Sequence, residues 1–323
     1  MFITVEPHSA RYIIGPPGNY DYRTTDNKVM HMADCKQVAP VRVAGNSYYL
    51  PAMSNAGLFK GYVIDPGCID YADVCRNDVG RDGVHTVLIT HGHNDHFRHA
   101  HEFREKGAKV IASKDDALLV RCPEVNVRGL FSWAKPPIEM ITPYFQGNAC
   151  EVDLYIEDWR DSSVRSVPLP GHTLGQYGFI TEDGVFYSGD AVYAKDIWSK
   201  YKLPYSIDPD LCRSSLEKMK ELDYDYVVPG AGHVMGRAEA LSAADYHIRQ
   251  LDNVDEIVLK LIKEPVSTED LVTLLSQELN LYKSLNNYWL TVVMLKGHLS
   301  SLINRGKAAY RLEDYCMYWY RVA

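Results

Sequence analysis

No run of about 18 apolar residues occurs anywhere in the 323-residue chain, so no membrane-crossing helix is expected. The opening "MFITVEPHSA" has neither a basic n-region nor an apolar core, which speaks against a secretory leader and for a cytoplasmic protein. Seven cysteines, an odd number with no CxxC, exclude a regular disulfide framework and a zinc finger. Reduced, mostly buried thiols are expected instead. There is no P-loop and no G-x-S-x-G nucleophile elbow. "GAGHVMG" (230–236) fails as a dinucleotide fingerprint, because its last glycine falls one position late. Internal repeats and low-complexity linkers are missing too. Basic charge is in deficit, 34 Lys and Arg against 42 Asp and Glu, and a net charge of −8 argues against a chain-wide nucleic-acid surface.

What is present is an ordinary globular composition, 46% hydrophobic and 24% charged. The length suggests two domains at roughly 150 residues each. From about residue 40 to 235, short apolar runs are broken by Gly, Pro and Asp. "VRVAGNSYYL" (41–50), "GLFKGYVIDPG" (57–67), "HTVLIT" (85–90) and "KVIAS" (109–113) read as strands. "SVRSVPLPG", "QYGFITEDGVFYSGD", with a hairpin through Asp183-Gly184, and "YDYVVPG" supply more. "RHAHEFREKG" and "KDDALLV" read as intervening helices, and the alternation predicts an α/β fold.

One segment concentrates chemistry. "LITHGHNDHF" (88–97) sets His91, His93, Asp95 and His96 directly after a buried strand, on a loop where α/β proteins place ligands. Imidazole and carboxylate suit zinc, iron or manganese. One metal can take His91 and His93, and a second Asp95 and His96. The loop alone supplies too few ligands, so further ones are expected at other strand ends. His172 in "PLPGHTLG", Asp190 in "FYSGDAV" and His233 in "VVPGAGHV" stand there. His99 and His101 fall on the following helix and are read as surface residues or as groups behind the ligands.

In that order, "YVIDPG" (62–67), "THGHNDH" (90–96), "PGHT" (170–173), "SGD" (188–190) and "GH" (232–233) resemble the metallo-β-lactamase superfamily, over roughly residues 40–240. The resemblance implies an αββα sandwich with metals at one edge. It implies a first metal on His91, His93 and His172, a second on Asp95, His96 and His233, and Asp190 bridging them. The cofactors would be two divalent ions, zinc with iron or manganese as alternatives. Asp65 would brace a ligand imidazole or the loop backbone, or serve as a turn residue before Pro66-Gly67. Tyr193, three residues after Asp190, resembles a tyrosine of the superfamily's lactonases whose phenol assists the carbonyl oxygen; a packed core tyrosine is the competing role.

The implied activity is hydrolysis of a small thioester, lactone or ester, similar to glyoxalase II. A metal-bridging hydroxide would attack, since bound water is acidified to a pKa of about 7. Asp95 would orient the nucleophile or pass a proton. Alternatives are an endoribonuclease using the same metals on phosphodiesters, a persulfide dioxygenase with one iron on His91, His93 and His172, and a DNA-binding regulator with a ligand-sensing domain. A β-lactam substrate is disfavoured by the missing leader.

After about residue 240 the pattern becomes helical. Leu241, Ala244, Ile248, Leu251 and Val254 recur at helical spacing, Ser267 with Asp270 resembles a capping box, and a third helix ends at Gly306. A terminal hairpin completes a winged-helix-like outline. The expected organisation is a catalytic domain over 1–240, with 1–40 its N-terminal extension, and a helical domain over 241–323. Lys283, Lys296, Arg305, Lys307, Arg311 and Arg321 make the last segment basic, so nucleic acid is a weighed but disfavoured partner. Its aromatics, among them Tyr288, Trp289, Tyr310 and Tyr315, suit packing, cover of the active-site mouth or a homodimer interface.

Overall fold

The computed structural model describes residues 22–23, 29–30, 39–76, 83–138, 141, 145, 147–203 and 205–322. Residues 1–38 form a unit of their own, in which the described part is an antiparallel pair, β1 (Tyr22–Arg23) and β2 (Val29–Met30). The expectations for a leader and for the N-terminal extension fall mainly outside the described residues. From Ala39 onward the chain is one compact unit.

The predicted strands of the first half, with one more that the sequence did not mark, form a seven-stranded sheet in sequence order. It runs β3 (Val41–Ala44), β4 (Ser47–Leu50), β5 (Ala56–Phe59), β6 (Tyr62–Ile64), β7 (Thr86–Leu88), β8 (Lys109–Ala112) and β9 (Leu154–Tyr155). The first four pair antiparallel as two hairpins and their join, whereas β6 to β9 run parallel. Four short helices accompany this sheet: α1 (Tyr71–Cys75), α2 (Asn94–Phe97), α3 (Ala100–Glu105) and α4 (Ala117–Arg121); α5 (Glu124–Leu130) follows. The second sheet holds β10 (Val164–Pro168), β11 (Tyr177–Thr181), β12 (Val185–Gly189), β13 (Tyr226–Pro229) and β14 (Met235–Gly236), with only β12 and β13 parallel. Between β12 and β13 lie α6 (Lys195–Tyr201) and α7 (Pro209–Glu221), and α8 (Arg237–Leu261) follows the sheet.

The two-residue period of a strand sorts the side chains into layers. Phe59, Ile64, Leu88 and Ile111 pack against Phe179, Val185, Tyr187 and Val228 of the other sheet. Their neighbours Leu58, Val63, Val87 and Val110 point the opposite way, onto Phe97, Ala100 and Phe103 of the helices. Ile180, Phe186 and Val227 likewise meet Leu216, Met219, Ala240 and Ala244 of α7 and α8. These three cores are the two helix–sheet faces and the sheet–sheet face of an αββα sandwich.

The C-terminal part continues with β15 (Val266–Ser267), α9 (Thr268–Glu278), α10 (Leu285–Asn304), β16 (Ala308–Glu313) and β17 (Cys316–Arg321). Its sheet is ordered β15-β17-β16. Ser267 caps α9 by accepting from the Asp270 amide, as its spacing predicted. Long α8 serves two cores: Ala243 and Leu251 join the sandwich, and Val254 and Val258 join Leu271, Leu295 and Leu302. The six described cysteines are free, but only Cys150 and Cys212 are buried, fewer than expected. No helix among the described residues is long and apolar enough to cross a membrane.

Candidate metal centre

The site grows from the ends of β6, β7, β10 and β12. After β7 the chain carries His91 and His93 on a loop. The second half of the motif departs from the loop expectation: Asn94 to Phe97 close one turn of helix, which places Asp95 and His96 on α2. His172 follows β10, and Asp190 follows β12.

Three imidazole nitrogens converge. His93 Nδ1 lies 3.1 Å from His91 Nε2 and 2.9 Å from His172 Nε2. His91, His96 and Asp190 form a second converging group, again within 4.8 Å. Asp190 reaches both: its Oδ2 is 3.4 Å from His172 Nε2 and its Oδ1 3.5 Å from His96 Nε2. Asp95 Oδ2 stands 3.7 Å from the same His96 nitrogen and accepts from Ser54 Oγ at 2.5 Å.

The surrounding bonds fix which nitrogen carries the proton. His172 Nδ1 donates to the Tyr205 carbonyl at 2.7 Å, leaving Nε2 a lone pair. His96 Nδ1 donates to Asp65 Oδ2 at 2.8 Å, so its Nε2 is the nitrogen turned inward. Thr90 Oγ1 gives its proton to Asp65 at 2.6 Å, so at 3.1 Å it accepts from His91 Nδ1. The inward nitrogens of His91 and His172 therefore carry lone pairs, and that of His96 carries one when the ring is neutral. His93 Nδ1 has at most one proton for two such neighbours. His96 Nε2 and Asp190 Oδ1 are buried without any hydrogen-bond partner.

A divalent cation fits this donor set. Nitrogens bound to zinc at about 2.0–2.1 Å stand roughly 3.3 Å apart in a tetrahedron, near the spacings seen here. A cation would also satisfy the orphaned nitrogen and oxygen. The protein leaves space for no side chain beside them: a Cβ on Gly230 would lie 2.0 Å from Asp190 Oδ1 and 2.8 Å from His96 Cε1.

Electrostatics follow from burial. Burial and the neighbouring rings hold His91 well below the usual histidine pKa, push His93 down to about 4, and lower His172. These three imidazoles are neutral at pH 7. Burial opposes charge on His96 as well, but the carboxylates of Asp190, Asp95 and Asp65 outweigh it and raise its pKa. Burial would raise Asp190, yet His96 and His172 hold it well below the carboxylate range. Without a cation, a proton on His96 partly neutralises the acidic half of the site.

Of the remaining candidates, Asp65 combines both of its expected roles. It turns the chain at φ +54° and accepts from the Thr90 amide at 2.8 Å, while bracing His96. Tyr193 is buried with Ile197 and Trp198, its hydroxyl 3.3 Å from His172 Nδ1. That is the edge of the ring turned away from the converging nitrogens. His233 is not brought to the cluster. Its side chain is 52% exposed and its Nε2 meets Glu239 at 2.7 Å. The turn through Gly230 and Gly232 instead packs Ala231 inward against Tyr193 and its neighbours.

Sequence reasoning missed several supports. Asp116 ties two ligand loops together, accepting from the Gly92 amide at 2.8 Å, Thr173 Oγ1 at 2.6 Å and the Gly175 amide at 3.1 Å. Its position after β8, another strand end, was the available signal. Asn55 holds the loop after β13 through the carbonyls of Pro229 and Gly232, at 2.9 and 2.8 Å. Tyr205 acts through its carbonyl, which no side-chain pattern reveals.

Known proteins resemble the chain in sequence and in fold. The chain is similar to hydroxyacylglutathione hydrolases, 29% identical over 138 residues to that of Shewanella loihica and 30% over 135 residues to that of Vibrio cholerae serotype O1. Each match covers 41% of this chain and 43% or 42% of the relative, so the chain matches under half the length of these relatives. In fold it is similar to a metallo-beta-lactamase family protein from Thermus thermophilus, with a TM-score of 0.60 at 18% identity over 88% of this chain and 98% of the other. A beta-lactamase domain protein from Burkholderia ambifaria gives 0.58 at 18% identity, over 90% and 96%. The family model of the metallo-beta-lactamase superfamily matches residues 50–232, which contain all the converging side chains. The chain belongs to the metallo-beta-lactamase superfamily.

Proposed function

We propose that the protein is a metal-dependent hydrolase of a small thioester or related ester. The observation that carries this reading is the convergence of His91, His93 and His172, and of His91, His96 and Asp190, in two groups whose ligand atoms lie within 4.8 Å of one another, with His96 Nε2 and Asp190 Oδ1 buried and unpartnered. His91, His93 and His172 would hold one cation. His96, Asp190 and Asp95 would hold a second, and zinc suits the set. A bound cation supplies acidified water and polarises an ester carbonyl.

The chain's own residues do the rest. Asp65, Thr90 and the Tyr205 carbonyl hold three imidazoles in their ligating tautomers. Asp95, fixed by Ser54, is the partly exposed carboxylate at the site and is suited to take up the proton of the attacking water and pass it to the leaving thiolate. The Tyr205 ring stands edge-on to His93 and His172, at 5.3 and 5.5 Å, and limits water on that side. A thioester is favoured by the hydroxyacylglutathione hydrolases among the relatives.

A division near residue 240 is part of this proposal: the sandwich would carry the chemistry, and the order α8-β15-α9-α10-β16-β17 supports reading the rest as a winged-helix-like domain sharing α8. The test is a panel of S-lactoylglutathione, acyl-thioesters, a lactone and labelled RNA, run with protein reconstituted with zinc. Turnover of a thioester, lost in His93→Ala with RNA intact, is the expected result. RNA cleavage with every ester untouched would replace this reading by a nuclease.

A further inference from the structure

Glycine weakens a helix interior, so a glycine in the middle of α10 calls for a packing reason. Gly297 has one. A Cβ there would lie 2.6 Å from the Ile207 carbonyl oxygen and 3.4 Å from Pro209 Cδ. The first of these is backbone and cannot simply swing aside. The loop it touches is the one that orients His172. Tyr205 gives the carbonyl to His172 Nδ1 at 2.7 Å, and the Ile207 and Asp208 amides both donate to the Gly171 carbonyl, at 2.9 and 3.1 Å.

The same helix reaches the other histidine loop. Trp289 lies two helical turns earlier on the same stripe, about 12 Å away along the axis. Its ring meets Phe131 edge-on at 5.5 Å, at the end of α5. From α5, Asn126 donates to the Gly92 carbonyl at 3.0 Å, between His91 and His93. The position of α10 along its axis is locked one residue past Gly297. His298 donates to Asp255 of α8 at 2.6 Å, Arg213 of α7 and Arg305 of α10 bind the same carboxylate, and Ser301 bonds Asp210 of α7 at 2.7 Å.

We propose that α10 is a brace for the metal centre, with Gly297 its positioning residue: the close approach it permits sets the 205–208 loop and, through it, the aim of His172. The C-terminal segment thereby tunes cation affinity without contributing a ligand. This rests on the reading that His172 holds a cation.

The test measures zinc affinity of the full chain by competition with a chromophoric chelator, beside thermal melting of the metal-free protein. Gly297→Ala and Gly297→Val are compared with Leu302→Ala, which hollows a C-terminal core whose members include none of residues 205–208. The expected result is affinity about 10- to 100-fold weaker in Gly297→Val, as for other changes behind a metal ligand, less so in Gly297→Ala, and within about twofold of wild type in Leu302→Ala despite its lower Tm. Gly297 variants that bind as wild type does would overturn the brace while leaving the metal reading intact. Affinity falling in Leu302→Ala in step with its Tm would also overturn it, since general stability would then explain the loss. Wild-type protein that takes up no zinc would remove the metal reading first and the brace with it.

Discussion

Two of the buried histidine–aspartate pairs among the described residues do different work. At the rim of the sandwich His96 donates to Asp65 at 2.8 Å; in the C-terminal part His298 donates to Asp255 at 2.6 Å. In both, Nε2 is buried without a partner. The difference lies in what surrounds each pair. His96 Nε2 faces the carboxylates of Asp95 and Asp190, an excess of negative charge and lone pairs. Asp255 is instead shared with Arg213 and Arg305, so its negative charge is answered by fixed cations. Among the described residues, only the first neighbourhood assembles with other ligand groups. On the proposed reading, a buried His–Asp pair serves a cation site because of its surroundings; elsewhere it is a clamp between helices.

Replacing the two aspartates separates these roles. Asp255→Asn strips the carboxylate from two arginines and leaves them facing a neutral amide. Breaking a buried pair costs about 3–5 kcal/mol, so a large drop in urea midpoint is expected, the largest effect of the set. Asp65→Asn acts on affinity instead. The carboxylate accepts three bonds, and an amide cannot accept them all without turning its NH2 onto a donor. Zinc affinity should fall about 10- to 100-fold, read by chelator competition.

The clamp should also show in pH. Burial would raise Asp255, but His298, Arg305 and Arg213 outweigh it and hold its pKa below the usual carboxylate value. A depressed folded pKa contributes stability that is fully present above the unfolded value of about 3.9 and is lost as pH falls through the folded one. The gap in urea midpoint between wild type and Asp255→Asn should therefore stay level from pH 7 to 5 and narrow only in stronger acid. A gap that closes near pH 6 would contradict the assignment. The smallest effect is expected at His233, an exposed partner of Glu239. His233→Ala should change stability by under about 0.5 kcal/mol and leave zinc affinity within about threefold; a larger loss of affinity would restore it as a ligand.

The sequence showed the site better than its supports. His91, His93, His172, Asp190 and Asp65 were legible because each follows an apolar run, and strand ends at one sheet edge converge. The same logic misplaced His233, because two glycines in the turn before it decide where the side chain points, and their dihedrals are not written in the pattern. Asp116 gave the right signal but stood outside a histidine run. Tyr205 and Gly297 act through a carbonyl and a missing side chain, which become visible only once partners are in place. For the fold, the apolar runs of β5 to β8 predicted strands, and that of β7 a buried one. They did not reveal that alternate residues serve different cores, since both faces are covered.

The central claim is that the converging imidazoles and Asp190 hold a divalent cation. Titration of metal-free protein with Co2+, followed by its visible absorption, tests it most directly. A saturable signal at one or two ions per chain, abolished in His93→Ala whose melting curve remains cooperative, is the predicted result. No absorption change in wild type, or an unaltered titration in His93→Ala, would contradict it.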